Sequence, residues 1–523
     1  MGEYLYFSAS KRNESCPFYR TKDPFNEPFE EIQGEISFWD PHLFRDDDER
    51  LYLYWGCSNL TPIYTVELDP NTLKPKEEPR ELIDTDEKKY GFERNGEDHI
   101  PPKSKEEVET SVKLMLKRYE NLSEKEIMEV SGLSIAQMEK IIRGYVGNRP
   151  YIEGAWMTKH QGKYYLQYSV PGTKYNVYGD AVYIGETPLG PFTIANNNPY
   201  SYKPGGFING AGHGSTLKDI IDNYWHSSTM RICRNDNFER RIGMWKSGFD
   251  GDGELFCDQR YGDWPISVDS QPFDKPNWML LSYGKKVNVS SGENSMTVVD
   301  EDIRTFWKAE NNKQKEWIEV DLGKLMSVNA IQINFADDTE RKMKLPKEAK
   351  VFRKNGFTRF LDQEVQFTRW KLEGSINGMD YFVISDKTNA YTDLAHDLVI
   401  YEEGLNYRYI RLTILEVPYG TEPCISGLRI FGKNDGDMPK PARNVTFERV
   451  SPLDVKVCWE QHSNIVGYNI LWGHTSDKLY HSYMVFGKME QNIGALTAGQ
   501  KLFMRVDTFN ETGITEGTVK EVI

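Results

Sequence analysis

The 523-residue sequence lacks long apolar runs: only 38% of its residues are hydrophobic, and nothing approaches the stretch of about 18 apolar residues that a membrane span needs. This absence excludes a transmembrane helix and membrane insertion. No block of Lys and Arg is present either, and the net charge is −15. A nucleic-acid partner needs a basic surface that displaces phosphate counterions, so the composition argues against one. A neutral polymer such as a polysaccharide meets no such barrier.

Cysteine is scarce and scattered. Without any CxxC pair the sequence excludes a zinc ribbon and gives no disulfide framework, so isolated buried thiols are the simpler interpretation. No basic segment followed by an apolar core opens the sequence, so no signal peptide is visible. The six cysteines are Cys16, Cys57, Cys233, Cys257, Cys424 and Cys458.

Aromatic residues are abundant: they make up 13% of the chain, with 30 Tyr and 12 Trp. Together with many turn residues, they favour a mostly β protein, and the length favours about three domains. Two strand-and-turn units, at 4–30 and 164–193, resemble each other, which predicts repeated blades. Pro-rich joints at 271–279 and 437–444 then separate two further domains.

Residues 104–146 carry helical rather than strand periodicity. Ser123 and Ser134 stand three residues before Glu126 and Gln137, which is the spacing of two capping boxes. A DNA-binding helix-turn-helix has a similar pattern. The acidic balance and the strands on both sides favour a helical insertion in a β domain instead.

Three ionisable residues stand in unusual surroundings. Asp40 lies in SFWDPHLF between Trp and Pro, Glu153 lies in YIEGAWM before a glycine, and His213 lies in GAGHGST between glycines. An acid beside Trp and small residues is in the setting where desolvation raises a carboxyl pKa, and a glycosidase divides acid and base work between two carboxyl groups. Taken singly, a turn Asp, a capping Glu and a hydrogen-bonded His are the simpler interpretations. Flat faces for sugar rings would come from Trp39, Trp55, Trp156 and Trp225.

These segments resemble blades of the family 43 glycoside hydrolases. FWDPHLFRDDDERLYLYWG resembles a blade with an Asp-Pro element and an acidic turn before a Tyr-Leu strand. EGAWMTKHQGKYYLQYS resembles the blade that starts with the general acid, and GHGSTLKD with NYWHSS resembles the blade that carries the axial histidine. The resemblance covers about half of the chain and implies a five-bladed type of β-propeller. It does not separate arabinosidases, xylosidases and galactosidases, which share these elements.

The resemblance implies a role for each matching residue. Glu153 would be the general acid that protonates the leaving glycosidic oxygen. His213 would lie on the propeller axis, where the family often places a calcium ion or a water cluster. Arg240 or Arg241, in FERRIGMW, falls where the family has an arginine that contacts substrate.

Asp40 admits two assignments within the family: the general base of the first blade, or an aspartate of a later blade that tunes the acid. The acidic triplet at 46–48 and the blade-like residues 4–30 favour the tuning role. The chain would then begin inside the second blade, without the first blade and its base. On that assignment we expect little or no glycosidase activity, since Asp23, the only aspartate before residue 35, lies in a turn.

Two β-sandwich domains are predicted downstream. Residues 284–433 resemble a discoidin-type domain through VDEDIRTFWKA, WIEVDLGK and WKLEGSINGMDY, although Glu301 replaces the usual glycine, and 338–366 resemble an insertion in it. These domains bind galactose-like or other glycans, or serve as spacers. Residues 440–523 resemble a fibronectin type III domain with Trp459 as core anchor, for which a rigid spacer is the simpler interpretation.

The prediction is therefore an all-β chain with a possibly incomplete propeller at 1–270, a discoidin jelly-roll at 280–433 and a fibronectin type III sandwich at 440–523. The leading hypothesis is an inverting glycoside hydrolase of the arabinosidase or xylosidase type, acting on side chains of a polysaccharide or oligosaccharide. The alternative is a carbohydrate-binding protein that does not hydrolyse. The resemblance also implies a secreted, periplasmic or cell-surface location. A carboxylate facing Glu153 across the pocket would distinguish the hypotheses.

Overall fold

The structure is a computed structural model. It describes residues 3–8, 10, 14–232, 240–313, 315–336, 338, 349–354, 357–361 and 364–523. Cys233 and, within the predicted insertion at 338–366, residues 339–348, 355–356 and 362–363 lie outside the described residues. In the described part, strands dominate, as predicted, and no helix has the length and apolar character needed to span a bilayer.

The described part of the first region, up to residue 270, folds into four antiparallel sheets in chain order. Consecutive meanders are the strand pattern of a repeated-blade fold; the five-bladed propeller itself stays a prediction. The first two sheets contain Leu5–Ser8, Phe18–Thr21 and Glu30–Ile32, then His42–Arg45, Leu51–Trp55, Ile63–Leu68 and Arg80–Ile83. The third contains Cys57–Ser58, Ile152–His160, Lys163–Val170, Gly179–Gly185 and Phe192–Ile194, and the fourth Gly212–Lys218, Tyr224–Arg231, Arg240–Phe249 and Leu255–Cys257.

The helical insertion is present between the second and third sheets. Its α-helices are Lys105–Leu116, Glu124–Ser131 and Ile135–Val146. Both predicted capping boxes form, and a third one at Ser104 and Glu107 begins the first helix. Each box satisfies backbone N–H groups that would otherwise lack partners at the start of its helix. The prediction of helices over 104–146 is confirmed.

The middle domain is built on one eight-stranded sheet system around its own core. Its two longest strands pair with register shifts, and such irregularities bend a strand, so that each can contribute to both layers of a jelly-roll. The strands are Met279–Leu280, Lys286–Val289, Trp307–Lys308, Glu316–Phe335, Arg369–Ser375, Phe382–Asp386, His396–Glu416 and Cys424–Lys433. A separate hairpin pairs Lys350–Lys354 with Phe357–Leu361.

The last domain consists of two sheets that enclose a core in which Trp459 is 4% exposed, as predicted for an anchor. One sheet contains Arg443–Ser451, Asp454–Glu460 and Glu490–Ile493. The other contains Gly467–Gly473, His481–Val485, Phe503–Phe509, Ile514–Thr515 and Lys520–Glu521.

The last domain packs against the first region. Arg94 is nearly buried and donates to both carboxylate oxygens of Asp454. Tyr483 donates to Asp98 at 2.6 Å. One continuous core also joins Phe92 of the first region to residues of the last domain. Buried ionic and apolar contacts thus attach this domain to the first region, and the role of a rigid spacer stays a prediction.

The contacts of Glu301 explain why a glutamate occupies this position instead of the usual glycine. It has a left-handed φ of 61°, where glycine is favoured, yet its side chain is 1% exposed and accepts hydrogen bonds from Arg429 at 2.9 and 2.7 Å. Arg429 also reaches Asp263 at 3.3 Å, and Asp263 pairs with Lys203 at 2.8 Å. A buried chain of ion pairs thus connects the middle domain to the first region.

Candidate active site

The three ionisable residues predicted from their surroundings come together in the structure. Asp40, Cys57 and Glu153 each place a side-chain atom within 4.8 Å of the others. His213 Nε2 lies 3.9 Å from Asp40 Oδ2. The group is therefore one cluster contributed by the second, third and fourth sheets. We refer to Asp40, Cys57, Glu153, Tyr178 and His213 as the carboxyl cluster.

Strand pairing fixes Glu153 within this cluster. Cys57 is the register partner of Glu153 across two antiparallel strands, and its thiol donates to Glu153 Oε2 at 3.1 Å. The Tyr178 hydroxyl donates to Glu153 Oε1 at 2.6 Å and lies 3.5 Å from His213 Nδ1. Both carboxylate oxygens are thus held in place, which restricts the orientation of the side chain.

Glycines allow the cluster to pack closely. Gly154 has a φ of 62°, and a Cβ there would lie 2.8 Å from Ser169 Oγ and 3.2 Å from the His213 ring. A Cβ at Gly212 would lie 2.7 Å from the Tyr178 ring. Real Cβ atoms do not approach other atoms this closely, so larger residues would displace the histidine or the phenol. The predicted role of the glycines around His213 is confirmed.

A buried network of hydrogen bonds holds the backbone of His213 in place. The backbone N–H of His213 donates to Ser169 Oγ at 2.7 Å, and Ser169 donates to Asp180. Asp180 in turn contacts His226 Nε2 at 2.8 Å, with both side chains at most 2% exposed. His213 has a φ of 60°, and such a backbone persists only where its surroundings hold it. The network supplies that support.

The electrostatic environment differs among the members of the cluster. Burial raises the pKa of Asp40; His213 opposes this shift and the carboxyl of Glu153 adds to it. Burial, together with the two neighbouring carboxyl groups, raises the pKa of the Cys57 thiol, which therefore stays protonated and able to donate. Burial and Glu153 also raise the pKa of the Tyr178 hydroxyl well above its usual range. Two weak acids thus serve as hydrogen-bond donors to Glu153.

A cavity of about 1050 Å³ opens above Glu153. Its wall includes Trp39 and Trp55 on one side and both ends of the helical insertion, at 100–103 and 145–149, on another. Trp39 is 40% exposed, so its face is available to a ligand. The volume suits several sugar rings, since drug-sized ligands occupy pockets of roughly 300–1,000 Å³.

The other predicted aromatic residues lie elsewhere. The Trp156 indole N–H donates to the Thr216 carbonyl at 3.1 Å, and its ring packs on His42 with centroids 4.1 Å apart. Trp156 and Trp225 are both absent from the wall of the cavity. The predicted contact of Trp156 with sugar is therefore not provided by this cavity, because the ring is used to pack the second sheet against the third.

The two candidate arginines point to different places. Arg240 donates to Thr173, which lines the cavity, and its charge also acts on Asp40. Arg241 donates to Asn334 and to the Ala395 carbonyl in the middle domain. The structure thus brings Arg240 to the site and directs Arg241 away from it, which the sequence alone leaves open.

Few protein oxygens surround the His213 ring in the described part of the chain. Calcium takes six to eight oxygen ligands, whereas the polar contacts of the ring are one Asp40 oxygen at 3.9 Å and the Tyr178 hydroxyl at 3.5 Å. A calcium ion near His213 stays a prediction, and most of its ligands would be water. The thiol and carboxylates of Asp40, Cys57 and Glu153 resemble a donor set for zinc more closely than one for calcium.

Cys57 and Tyr178 are functional candidates that the sequence did not reveal. None of the described cysteines forms a disulfide, and Cys16, Cys257 and Cys424 are buried as predicted, whereas Cys57 and Cys458 are partly exposed and Cys57 lines the cavity. Its position two residues after the strand Leu51–Trp55 does not by itself distinguish it from the other cysteines. Nothing in the local sequence of Tyr178 indicates its contact with Glu153.

Comparisons with known proteins give one family match and distant structural neighbours. The F5/8 type C domain family matches residues 284–426, which confirms the predicted discoidin-type domain. No curated protein matches the chain. A solved glycoside hydrolase is 16% identical to this chain, with a TM-score of 0.37. The alignment covers 81% of this chain and 82% of the glycoside hydrolase chain.

Two further structures are equally distant. A thermostable family-43 glycoside hydrolase is 20% identical, covering 52% of this chain and 74% of its own, with a TM-score of 0.35. A GH43 protein from Bacillus licheniformis is 11% identical, with a TM-score of 0.33. The alignment covers 99% of this chain and 74% of the GH43 protein. At these identities and TM-scores the neighbours do not by themselves assign an activity to this chain.

Proposed function

We propose that the chain is a glycoside hydrolase of the family 43 type that acts on side chains of a polysaccharide or oligosaccharide. The observation that carries the proposal is the carboxyl cluster, in which Glu153 faces a cavity large enough for sugar rings while Asp40 stands beside it. The confirmed discoidin-type domain agrees with a carbohydrate partner. A sugar of the arabinose or xylose type is the narrower form of the proposal.

Glu153 would act as the general acid. Its Oε2 atom would give a proton to the glycosidic oxygen as the bond to the leaving sugar breaks. While Oε2 carries that proton, the Cys57 sulfur can accept a weak hydrogen bond from it. Tyr178 would hold Oε1 throughout. Burial raises the pKa of Asp40 and the neighbouring Glu153 carboxyl adds to that shift, whereas His213 opposes it.

Asp40 is better suited to tuning this proton than to activating water. An inverting glycosidase separates its carboxyl groups by about 6.5–9.5 Å, which leaves room for the water. The carboxyl oxygens of Asp40 and Glu153 that approach each other lie within 4.8 Å. The separation supports the tuning role for Asp40, and among the described lining residues the one other carboxylate is Glu87.

That scarcity of carboxylates favours a second candidate function, a carbohydrate-binding protein that does not hydrolyse. It would keep the cavity and Trp39 as a platform for sugar but lack a base at the required distance. In both versions residues 1–270 would form a propeller of the family type and 440–523 a fibronectin type III domain, whose three- and five-stranded sheets suit that assignment. A secreted, periplasmic or cell-surface location belongs to the proposal as well.

One experiment separates the two functions. The chain is incubated with arabinan, arabinoxylan and galactan side-chain oligosaccharides, and released sugar and binding heat are measured in parallel. The hydrolase proposal expects released monosaccharide whose first-formed anomer, followed by NMR, is inverted. Binding heat without any released sugar would favour the binding protein, and neither signal with any oligosaccharide would contradict both.

A further inference from the structure

We propose that the cavity above Glu153 is built for an acidic glycan, in which a uronic acid carboxylate binds Lys103 and Lys174 at the wall made by the helical insertion. The inference deepens the proposed function by naming a substrate class for the same site. It concerns binding, however, and can stand or fail independently of hydrolysis. The chain as a whole is acidic, with a net charge of −15, so a cationic wall is a local departure.

The insertion forms a fixed part of the cavity wall. Asn148 and Lys103 join its two ends through hydrogen bonds of 2.8 Å in both directions. Asn59 donates to the Gly144 carbonyl at 2.6 Å, and Asn95 donates to the Asn148 carbonyl at 3.1 Å. The first two bonds close the insertion at its base, and the other two tie it to the residue after Cys57–Ser58 and to the loop before the insertion. The wall therefore presents its side chains in defined positions.

The described wall of the cavity carries more cationic side chains than carboxylates. Its cationic side chains are Arg94, Lys103, Arg149 and Lys174, and its carboxylates are Glu87 and Glu153. The two arginines are already committed to carboxylates outside the wall. Arg94 pairs with Asp454, and Arg149 donates to both oxygens of Asp84 at 2.7 Å.

The two lysines have no such partner among the described residues. Lys103 donates to the Val146 carbonyl at 2.9 Å, a contact with an uncharged group. The Lys174 ammonium lies 5.4 Å from the Tyr145 ring centre and 5.0 Å from that of Tyr175. Their charges are therefore available to a ligand that enters the cavity.

Aromatic rings and cations together indicate the class of ligand. Tyr145 is 57% exposed and, like Tyr175, lines the cavity, so it can stack on a sugar ring. A lysine held against such rings can contact a carboxylate on the same sugar, because its three donors rotate freely. A neutral glycan would leave both ammonium groups without an anionic partner. A uronic acid unit supplies the ring and the charge at once.

Binding measurements in the Glu153→Gln background test this without interference from turnover. The probes are oligogalacturonates and glucuronate-substituted xylo-oligosaccharides, each paired with its carboxyl-reduced form, which keeps every linkage but removes the charge. By titration calorimetry we expect an acidic probe to bind about tenfold more tightly than its reduced partner, as two partly exposed ion pairs allow. Added salt should shrink the difference.

The variant Lys103→Gln with Lys174→Gln should remove this preference and leave binding of the reduced probe within about twofold. Lys163→Gln, at an exposed hairpin outside the cavity wall, is the matched control and should change nothing. Equal binding of acidic and reduced probes, or no binding of any of them, would overturn the inference. Preference for the acidic probe without hydrolysis by the unmodified chain would support the inference and contradict the proposed hydrolase. Hydrolysis of neutral glycosides without that preference would support the proposed hydrolase and contradict the inference.

Discussion

Two clusters in this molecule each contain an aspartate and a glutamate, but in opposite surroundings. The carboxyl cluster is partly exposed, with Asp40 at 20% and His213 at 38% side-chain exposure. The chain of Lys203, Asp263, Arg429 and Glu301 between domains is at most 3% exposed. Each cluster includes a residue other than glycine with a left-handed φ. Similar chemistry thus serves a cavity in one place and a domain interface in the other.

The charged neighbours of the two aspartates differ. Asp263 is buried, but Lys203 and Arg429 overcome the cost of burial and hold its pKa below the usual range. Asp40 is less buried, yet its pKa is raised, because burial and Glu153 outweigh the effect of His213. Burial also raises the pKa of Glu301 despite its pairing with Arg429. The contrast therefore lies in the cations around Asp263 and the second carboxyl group beside Asp40.

The largest expected effect on stability is at the interface. Arg429→Met keeps the size of the side chain but leaves Glu301 buried without its partner, and breaking a buried pair costs about 3–5 kcal/mol of unfolding free energy. Urea unfolding measures the loss. Arg408→Met is the matched control, since Arg408 pairs with Asp321 at 38% exposure, where solvent screens the pair, and should cost much less. Equal losses in the two variants would remove the distinction between the clusters.

A buried carboxyl with no cation among its described hydrogen-bond partners sharpens the comparison. Burial raises the pKa of Glu93 to about 8, although it accepts hydrogen bonds from Tyr168 and the Asp86 backbone. Its folded pKa lies above the unfolded value, so its stabilising contribution is complete below about pH 4.5 and is lost as the pH rises to about 8.

The Glu93→Gln variant stays uncharged and should not show that loss. Melting temperatures of the two proteins are measured by calorimetry from about pH 5 to 8. We expect the unmodified protein to lose stability relative to the variant across this range. Curves that stay parallel would show that Glu93 does not titrate as its burial requires.

A smaller effect on stability is expected for a substitution in the hydrogen-bond network that holds His213. A methyl group at Gly214 would collide with His226 and Asp180, the pair that supports the histidine, and overpacking of this kind costs about 1–3 kcal/mol. Gly214→Ala should therefore lower the melting temperature and weaken ligand binding in the cavity. Gly251→Ala has open space around the added methyl and serves as control. If Gly214→Ala melts like this control, the network does not hold the site.

Local sequence predicted those features whose causes are local. Serine and glutamate or glutamine three residues apart cap the helices whatever surrounds them, and glycines beside His213 mark a close approach. Asp40, Glu153 and His213 carried recognisable neighbours in the chain. The match over 284–426 likewise rests on turns and strands that are short in sequence.

Contacts between distant parts of the chain were not predictable in the same way. Cys57 meets Glu153 across 96 positions through one strand register, and Arg94 meets Asp454 across 360. The choice between Arg240 and Arg241 depends on which way adjacent side chains of one strand point. Packing of the last domain on the first region likewise depends on surfaces, which carry no periodic pattern.

The most direct test of the central claim is the leaving-group dependence of Glu153→Gln, with its melting temperature measured beside it. The variant keeps the shape but has no proton to give. Aryl glycosides with good leaving groups should be hydrolysed at nearly the unmodified rate, and those with poor leaving groups about 10²–10⁴-fold more slowly. The melting temperature should stay unchanged. Unaltered turnover of both kinds of glycoside, or an equal loss for both, would contradict the assignment of Glu153 as the proton donor.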